Sequence, residues 1–197
     1  MKINYLFILI ACIFALPIYA QEQNCTLQNI IYTSKPFDSQ RNTYAELLPS
    51  KTDISKENIA PLLLKNNYLG FIGNDKKRLE INFHSAEKMA NNHSYQVKGN
   101  TIVGKNNIDF QGIITVKEAY SFSFYPFGVD DEFKGKVKDK GIIVFGYEFV
   151  EDEKLKASGV FRGEGVIRWY VNDKNEFLYD DIDYFSDWYF NNAFLGT

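Results

Sequence analysis

Cysteine and histidine are nearly missing from this chain, with two of each in 197 residues. Cys12 lies inside an apolar leader, so one thiol, Cys25, remains once the leader is gone, and a single thiol forms no internal disulfide. No base stands near Cys25 to activate it, and it reads as an inert thiol, a mixed or intermolecular disulfide being the alternative. The two histidines, His84 and His93, flank Glu87 at a spacing a zinc site can use, but alternation puts His84 on the polar face of its strand, and no metal is expected. A Gly-x-Ser-x-Gly nucleophile elbow is absent, as are the glycine motifs that cradle phosphate, which removes the common serine hydrolases and nucleotide enzymes. Positive charge is also short. Twenty-two basic against 25 acidic residues give a net charge of −3, more negative still once Lys2 leaves with the leader, and nothing here supports nucleic-acid binding. Lysine outnumbers arginine 18 to 4, a codon bias we read as that of an AT-rich bacterial genome.

One long hydrophobic run is present. Residues 1–20 combine Lys2, an apolar stretch from Tyr5 to Leu16, the helix-breaking Pro17 and the small Ala20, the pattern of a secretory signal peptide cleaved after Ala20. Leu9-Ile10-Ala11-Cys12 has the look of a lipobox, but Ile13 to Leu16 continue the apolar segment where a polar tether should begin. The run falls short of the ~20 apolar residues that span a bilayer, and no later segment approaches it, so no stable membrane span is expected after cleavage. The expected location is outside the cytoplasm, the periplasm if the host is Gram-negative. The N-glycosylation patterns at Asn24 and Asn92 bear only on a eukaryotic host.

Residues 21–66 form an N-terminal arm: a short strand over Leu27 to Thr33, a polar stretch with Pro36 and Pro49, then a short helix in which Ser55 and Asn58 precede Ile59, Leu62 and Leu63, with Pro61 limiting its length. From Asn67 to the end the pattern has period two. Between Asp109 and Phe124 the even positions carry Phe110, Ile114, Val116, Tyr120, Phe122 and Phe124 while the odd ones are mostly polar, as a half-buried strand requires. Leu79, Ile81 and Phe83 oppose Arg78, Glu80, Asn82 and His84 in the same way. Turn-forming residues at Lys98-Gly99-Asn100-Thr101, Lys105-Asn106-Asn107 and Asn172-Asp173-Lys174-Asn175 mark hairpins, and further strands fall at 142–151 and 157–171. The expected fold is mainly β: an antiparallel meander of about eight strands over residues 67–197, without the long helices a βαβ pattern needs. Gly159, Gly163 and Gly165 share a face with Phe161, Ile167 and Trp169, and glycine inside a strand indicates bending. This favours a curved, barrel-like sheet, with a sandwich as the alternative. The lysine-rich stretch 130–140 reads as a solvated loop or a mobile lid.

Glu118 is the least expected residue, since strict alternation puts it on the apolar face between Val116 and Tyr120, where a carboxylate must be paired, hydrogen-bonded or protonated. It is either the polar anchor of an interior cavity lined by Phe110, Ile114, Phe161 and Trp169, or a residue returned to solvent by a β-bulge or met by a basic partner. Near the C-terminus four aspartates alternate with six aromatic rings between Tyr179 and Phe190. Asp183, Tyr184, Asp187 and Trp188 there offer a surface for a cationic protein or for sugars, or else Asp183 caps a terminal turn whose Tyr184, Phe185 and Trp188 close one end of the barrel. Calcium is disfavoured, because no glycine follows the aspartates as in an EF-hand. Glu118 and Glu164 as a glycosidase pair are disfavoured too, Glu164 sharing an outward row with Arg162 and Arg168. The expectation is a non-enzymatic exported protein without a cofactor that binds a small amphipathic molecule. An inhibitor or immunity protein acting on an exported enzyme, or a carbohydrate-active hydrolase, are the alternatives.

Overall fold

The computed structural model describes residues 50–123, 125–185 and 191–196. The leader, Cys25, the strand expected at 27–33, Asp187 and Trp188 lie outside them. Nine strands form one antiparallel sheet curled into a half-barrel: β1 (Ser50–Lys51), β2 (Tyr68–Ile72), β3 (Lys77–Lys88), β4 (Ser94–Val103), β5 (Asn106–Ser121), β6 (Val137–Glu151), β7 (Val160–Asn172), β8 (Phe177–Tyr179) and β9 (Ala193–Gly196). Strands β2 to β8 follow one another in sequence order, β1 adds to the end of β5, and β9 runs beside the first half of β7. Among the described residues one four-residue α-helix, α1 (Ala60–Leu63), lies between β1 and β2, and no described helix is long and apolar enough to cross a membrane.

Alternation explains the interior. Tyr95 and Val97 of β4, Phe110 and Ile114 of β5, Phe145 and Phe149 of β6 and Ile167 and Trp169 of β7 point to one face and are buried. Four rings interlock there: Phe149 stacks on Phe110 and on Tyr147 at 4.7 Å, and Phe83 meets Phe110 and Phe149 edge-on at 5.7 and 5.5 Å. Such packing adds roughly 1 kcal/mol per ring pair to the burial itself. The opposite face of β5–β7 carries a smaller cluster of Phe122, Ile142, Val144 and Val166.

The arm's described end is anchored from above. Ile59, Leu62 and Leu63 are buried, the Ala60 amide donates to Asn58 Oδ1 at 3.1 Å, and the Tyr95 hydroxyl accepts from the Ile59 amide at 3.2 Å while donating to the Glu57 carbonyl at 3.3 Å. Lys88 Nζ donates to the Ser55 and Glu57 carbonyls at 2.7 and 2.6 Å. Pro61 stands in the first turn, where its missing N–H costs no helical bond.

The hairpin expected at 98–101 does not exist, because β4 runs straight through it. Gly99 is there for close approach: a methyl group on it would lie 2.1 Å from the Asn82 carbonyl oxygen and 2.8 Å from the Phe110 ring. Asn100 is buried and donates to Asn107 Oδ1 at 2.6 Å. The chain reverses instead after Val103, through Gly104 at φ +62°. Gly165 has a similar role on the inner face, where a methyl group would fall 2.3 Å from the Phe145 ring. The turn at 172–175 forms as expected, with Asn172 Oδ1 accepting from the Lys174 and Glu176 amides at 3.0 and 2.8 Å.

An open cleft between strands β2 and β9

The half-barrel leaves a seam. Strand β2 pairs only with β3, and among the described residues none pairs with its outer edge, while β9 covers β7 on the other side. Across the seam the Tyr68 and Phe194 rings touch edge-on at 5.0 Å, and Phe194 also packs on Tyr147 and Phe145. Around this bridge lies a cleft of about 1250 Å³, above the usual size range of small-molecule sites. Aromatic walls come from Tyr68, Phe71, Tyr147, Phe161, Tyr179 and Phe194, and Asn66, Asn67, Asn74, Asn191 and Asn192 supply neutral polar groups. Leu69 and Phe71 are 67% and 75% exposed at its rim, an uncovered apolar edge strand.

The hydroxyls in this wall keep hydrogen-bonding capacity. Tyr179 Oη accepts from Asn66 Nδ2 at 3.1 Å and from Asn192 Nδ2 at 2.9 Å, which uses both its lone pairs and leaves its O–H as a donor. Burial raises the Tyr147 phenol above its ordinary pKa, and the Tyr68 phenol, which donates to the Leu63 carbonyl at 2.6 Å, is pushed up more strongly by the same cause. The rings therefore remain neutral. Lys65, the lysine of the wall, is paired with Asp181 at 3.3 Å.

A second, smaller cavity of about 350 Å³ adjoins the first, the two sharing Ile72, Gly73 and Phe161 in their walls. Glu151, the last residue of β6, lines it and is 5% exposed. Its Oε1 accepts a short hydrogen bond from the Thr101 hydroxyl and its Oε2 accepts from the Gly159 amide at 2.7 Å. Sequence reasoning missed this carboxylate, although β6 signals it: Phe145, Tyr147, Phe149 and Glu151 share one phase of the alternation.

Glu118 is not in either space. The pairing of β5 with β6 slips between Val116 and Glu118, so Lys117 bulges, Val116 and Ala119 both join the interior, and Glu118 moves to the outer face. There its side chain is 41% exposed, bound to Lys51 Nζ at 2.8 Å and to the Tyr120 hydroxyl. These bonds hold the Glu118 carboxyl below its ordinary pKa and push the Tyr120 phenol up to about 12. Of the other residues expected to line one pocket, Phe110, Ile114 and Trp169 are packed solid in the core, Trp169 stacked on Phe177 at 5.1 Å, and only Phe161 faces open space. The interior expected to hold a ligand is filled by aromatic side chains; the large cleft lies at the seam, and Glu118 borders a separate open groove of about 400 Å³ with Lys51, His93 and Lys117.

At the C-terminal turn, Asp183 accepts from Lys140 Nζ at 3.3 Å, next to Asp180, which binds the same nitrogen at 3.1 Å. Tyr184 and Phe185 are 55% and 75% exposed, so they do not close the barrel end; Ile182 is the buried apolar residue of this turn. The outward row pairs as expected where Arg162 meets Glu148 at 2.7 Å, and Glu164 meets Lys117 at 2.5 Å. His84 and His93 join no metal-binding group, none of three or more such ligands existing among the described residues. Comparison with protein-family models, with curated sequences and with solved structures gave no match.

Proposed function

We propose that this protein is an exported, non-enzymatic binding protein that holds a small amphipathic molecule in the cleft between β2 and β9. The observation that carries this reading is the cleft itself, whose walls join six aromatic side chains, three of them tyrosines with their hydroxyls, to five asparagines. Aromatic faces favour an apolar body, and the amides and O–H groups favour a polar but uncharged segment beside it. The leader at residues 1–20 supports export. The test is titration of the purified protein with the neutral amphiphilic dye N-phenyl-1-naphthylamine. Saturable binding that weakens about tenfold in Phe161→Ala, a loss on the scale of one buried aromatic contact, supports the reading. Dye binding untouched by Phe161→Ala and by Tyr147→Ala counts against it.

A second reading rests on Tyr184 and Phe185, whose exposed rings lie 3.6 Å apart beside Asp181 and Asp183. Exposed aromatics flanked by carboxylates suit a basic partner, as an inhibitor or immunity protein would require. A partner recovered from the host's envelope extract by the wild type, and lost with the Tyr184→Ala/Phe185→Ala double variant, would support it.

A further inference from the structure

We infer that the small cavity beside Phe161 is the head-group end of the site and recognises a primary ammonium, so that the ligand is an amine-headed amphiphile whose head bonds Glu151. This rests on the cleft being the ligand site. Glu151 is a carboxylate 5% exposed at the wall of a cavity, and among the described residues no cation lies within ion-pair distance of it. A buried charge without a counter-charge is costly, and one that borders open space is placed to receive one from outside. The two bonds that Glu151 accepts, from the Thr101 hydroxyl and the Gly159 amide, fix its orientation but carry no charge. They also leave lone pairs free, since an ionised carboxylate has about four acceptor sites. Lys77, the one lysine or arginine in the cavity wall, is 66% exposed and points to Asp75 at 4.0 Å.

The chemistry of the donors narrows the cation. Calcium asks for six to eight oxygen ligands and zinc for about four ligands, whereas Glu151 and Thr101 are the buried side chains with oxygen in this wall, Asp75 and Asn106 standing exposed and Asp75 facing Lys77. A guanidinium spreads five donors over a plane and needs more acceptors than these. A primary ammonium, compact and with three donors, is satisfied by Glu151 and a neighbouring oxygen. Ile72, Gly73 and Phe161, common to both spaces, then lie alongside the apolar body where it passes from the cleft to the head.

The experiment compares dodecylamine with 1-dodecanol, matched in chain and differing in head, as competitors of N-phenyl-1-naphthylamine at neutral pH and sub-micellar concentration. The amine is expected to displace the dye at a concentration at least about tenfold lower than the alcohol, the scale of one hydrogen bond to a charged group. That advantage should vanish in Glu151→Gln, shrink in Glu151→Asp and persist in the surface control Glu118→Gln, with the alcohol unchanged throughout. Equal displacement by amine and alcohol in the wild type would overturn the inference while the cleft reading stands. An advantage that survives Glu151→Gln would overturn it too, by assigning the preference to the protein's overall negative charge. Failure of both competitors and the dye to bind would remove the cleft reading and this inference with it. Should Glu151→Gln not fold, Glu151→Asp against Glu118→Gln decides the matter.

Discussion

Strand β6 carries a buried charge near each end, and the two are treated in opposite ways. Lys140, near its start, is 3% exposed and is answered by Asp180 and Asp183 from the C-terminal turn, with Asp180 itself only 3% exposed. Glu151, eleven residues and so roughly 35 Å further along, is nearly as buried and meets only neutral donors. The first arrangement is complete within the fold and pins the turn at 180–185 onto the outer face of the sheet. The second is complete only when something else arrives. Buried charge by itself is therefore no mark of a site in this molecule; the mark is buried charge that borders open space and lacks a counter-ion.

The sharpest break in that contrast is Lys140→Met. It leaves Asp180 buried beside the weaker help of Arg168, and removal of one partner of a buried pair costs ~3–5 kcal/mol, to be read as a lower midpoint in urea unfolding. A neutral effect would mean that water reaches the cluster.

A pH profile tests the same end more gently. Burial is the largest influence on Asp180 and raises its carboxyl above the ordinary 3.8, against the pull of Lys140 and Arg168. The native state thus holds this proton more tightly than the unfolded chain. Its contribution to stability is fully present below pH 3.8 and is lost as pH rises through the raised native value. Denaturation of the wild type and Asp180→Asn across acidic to neutral pH should show that decline in the former only.

At the other end, Glu151→Gln should cost no more than about 1 kcal/mol, because the amide oxygen still accepts from the Gly159 amide, the Thr101 hydroxyl can turn to accept from the new N–H, and no cation is left unpaired. A loss as large as that of Lys140→Met would make Glu151 a structural residue and erase the distinction.

The smallest effect belongs to Glu118→Gln, a surface change worth ~0.5 kcal/mol or less. Its signature is spectroscopic: Tyr120, now titrating at about 12, should return toward 10, seen in a ¹³C-tyrosine NMR titration. With Glu118 present, the raised Tyr120 adds stability that holds below pH 10 and is lost between 10 and about 12. The lowered Glu118 carboxyl adds stability present above its ordinary 4.5 and lost as pH falls.

Much of the fold was legible because period two is written locally. Phe110 and Ile114 in β5, and Phe161 and Trp169 in β7, lie on the faces that alternation assigns to them, and the turn at 172–175 follows from asparagine chemistry that needs no distant partner. Of the two readings of Glu118, the structure bears out the bulge that returns it to solvent, with Lys51 as its partner, and not the cavity anchor. A bulge inserts one residue and reverses the facing of all that follow, and strict alternation alone could not choose between the two before β6 is paired alongside. The error at 98–101 has a related origin. Gly99 and Asn100 have turn chemistry in isolation, but Gly99 is there because the Phe110 ring and the β3 backbone crowd it from across the sheet.

Local sequence by itself determined the antiparallel meander, its curvature through glycines on an apolar face, and a short helix ahead of β2, since each depends on the residues within a few positions, although Pro61 opens that helix and does not limit it. Only the tertiary structure decided which cavity stays open. The interior was expected to be hollow, yet Phe83, Phe110 and Phe149 from three strands fill it, while the large cleft lies at the β2–β9 seam where two strand edges fail to meet. Closure of a sheet depends on the sum of twist and stagger over all its strands, and whether a buried carboxylate finds a lysine depends on which turn folds back over it. Both are properties of pairs far apart in the chain, which is why Lys140 meets Asp180 across forty residues and Glu151 meets no cation at all among the described residues.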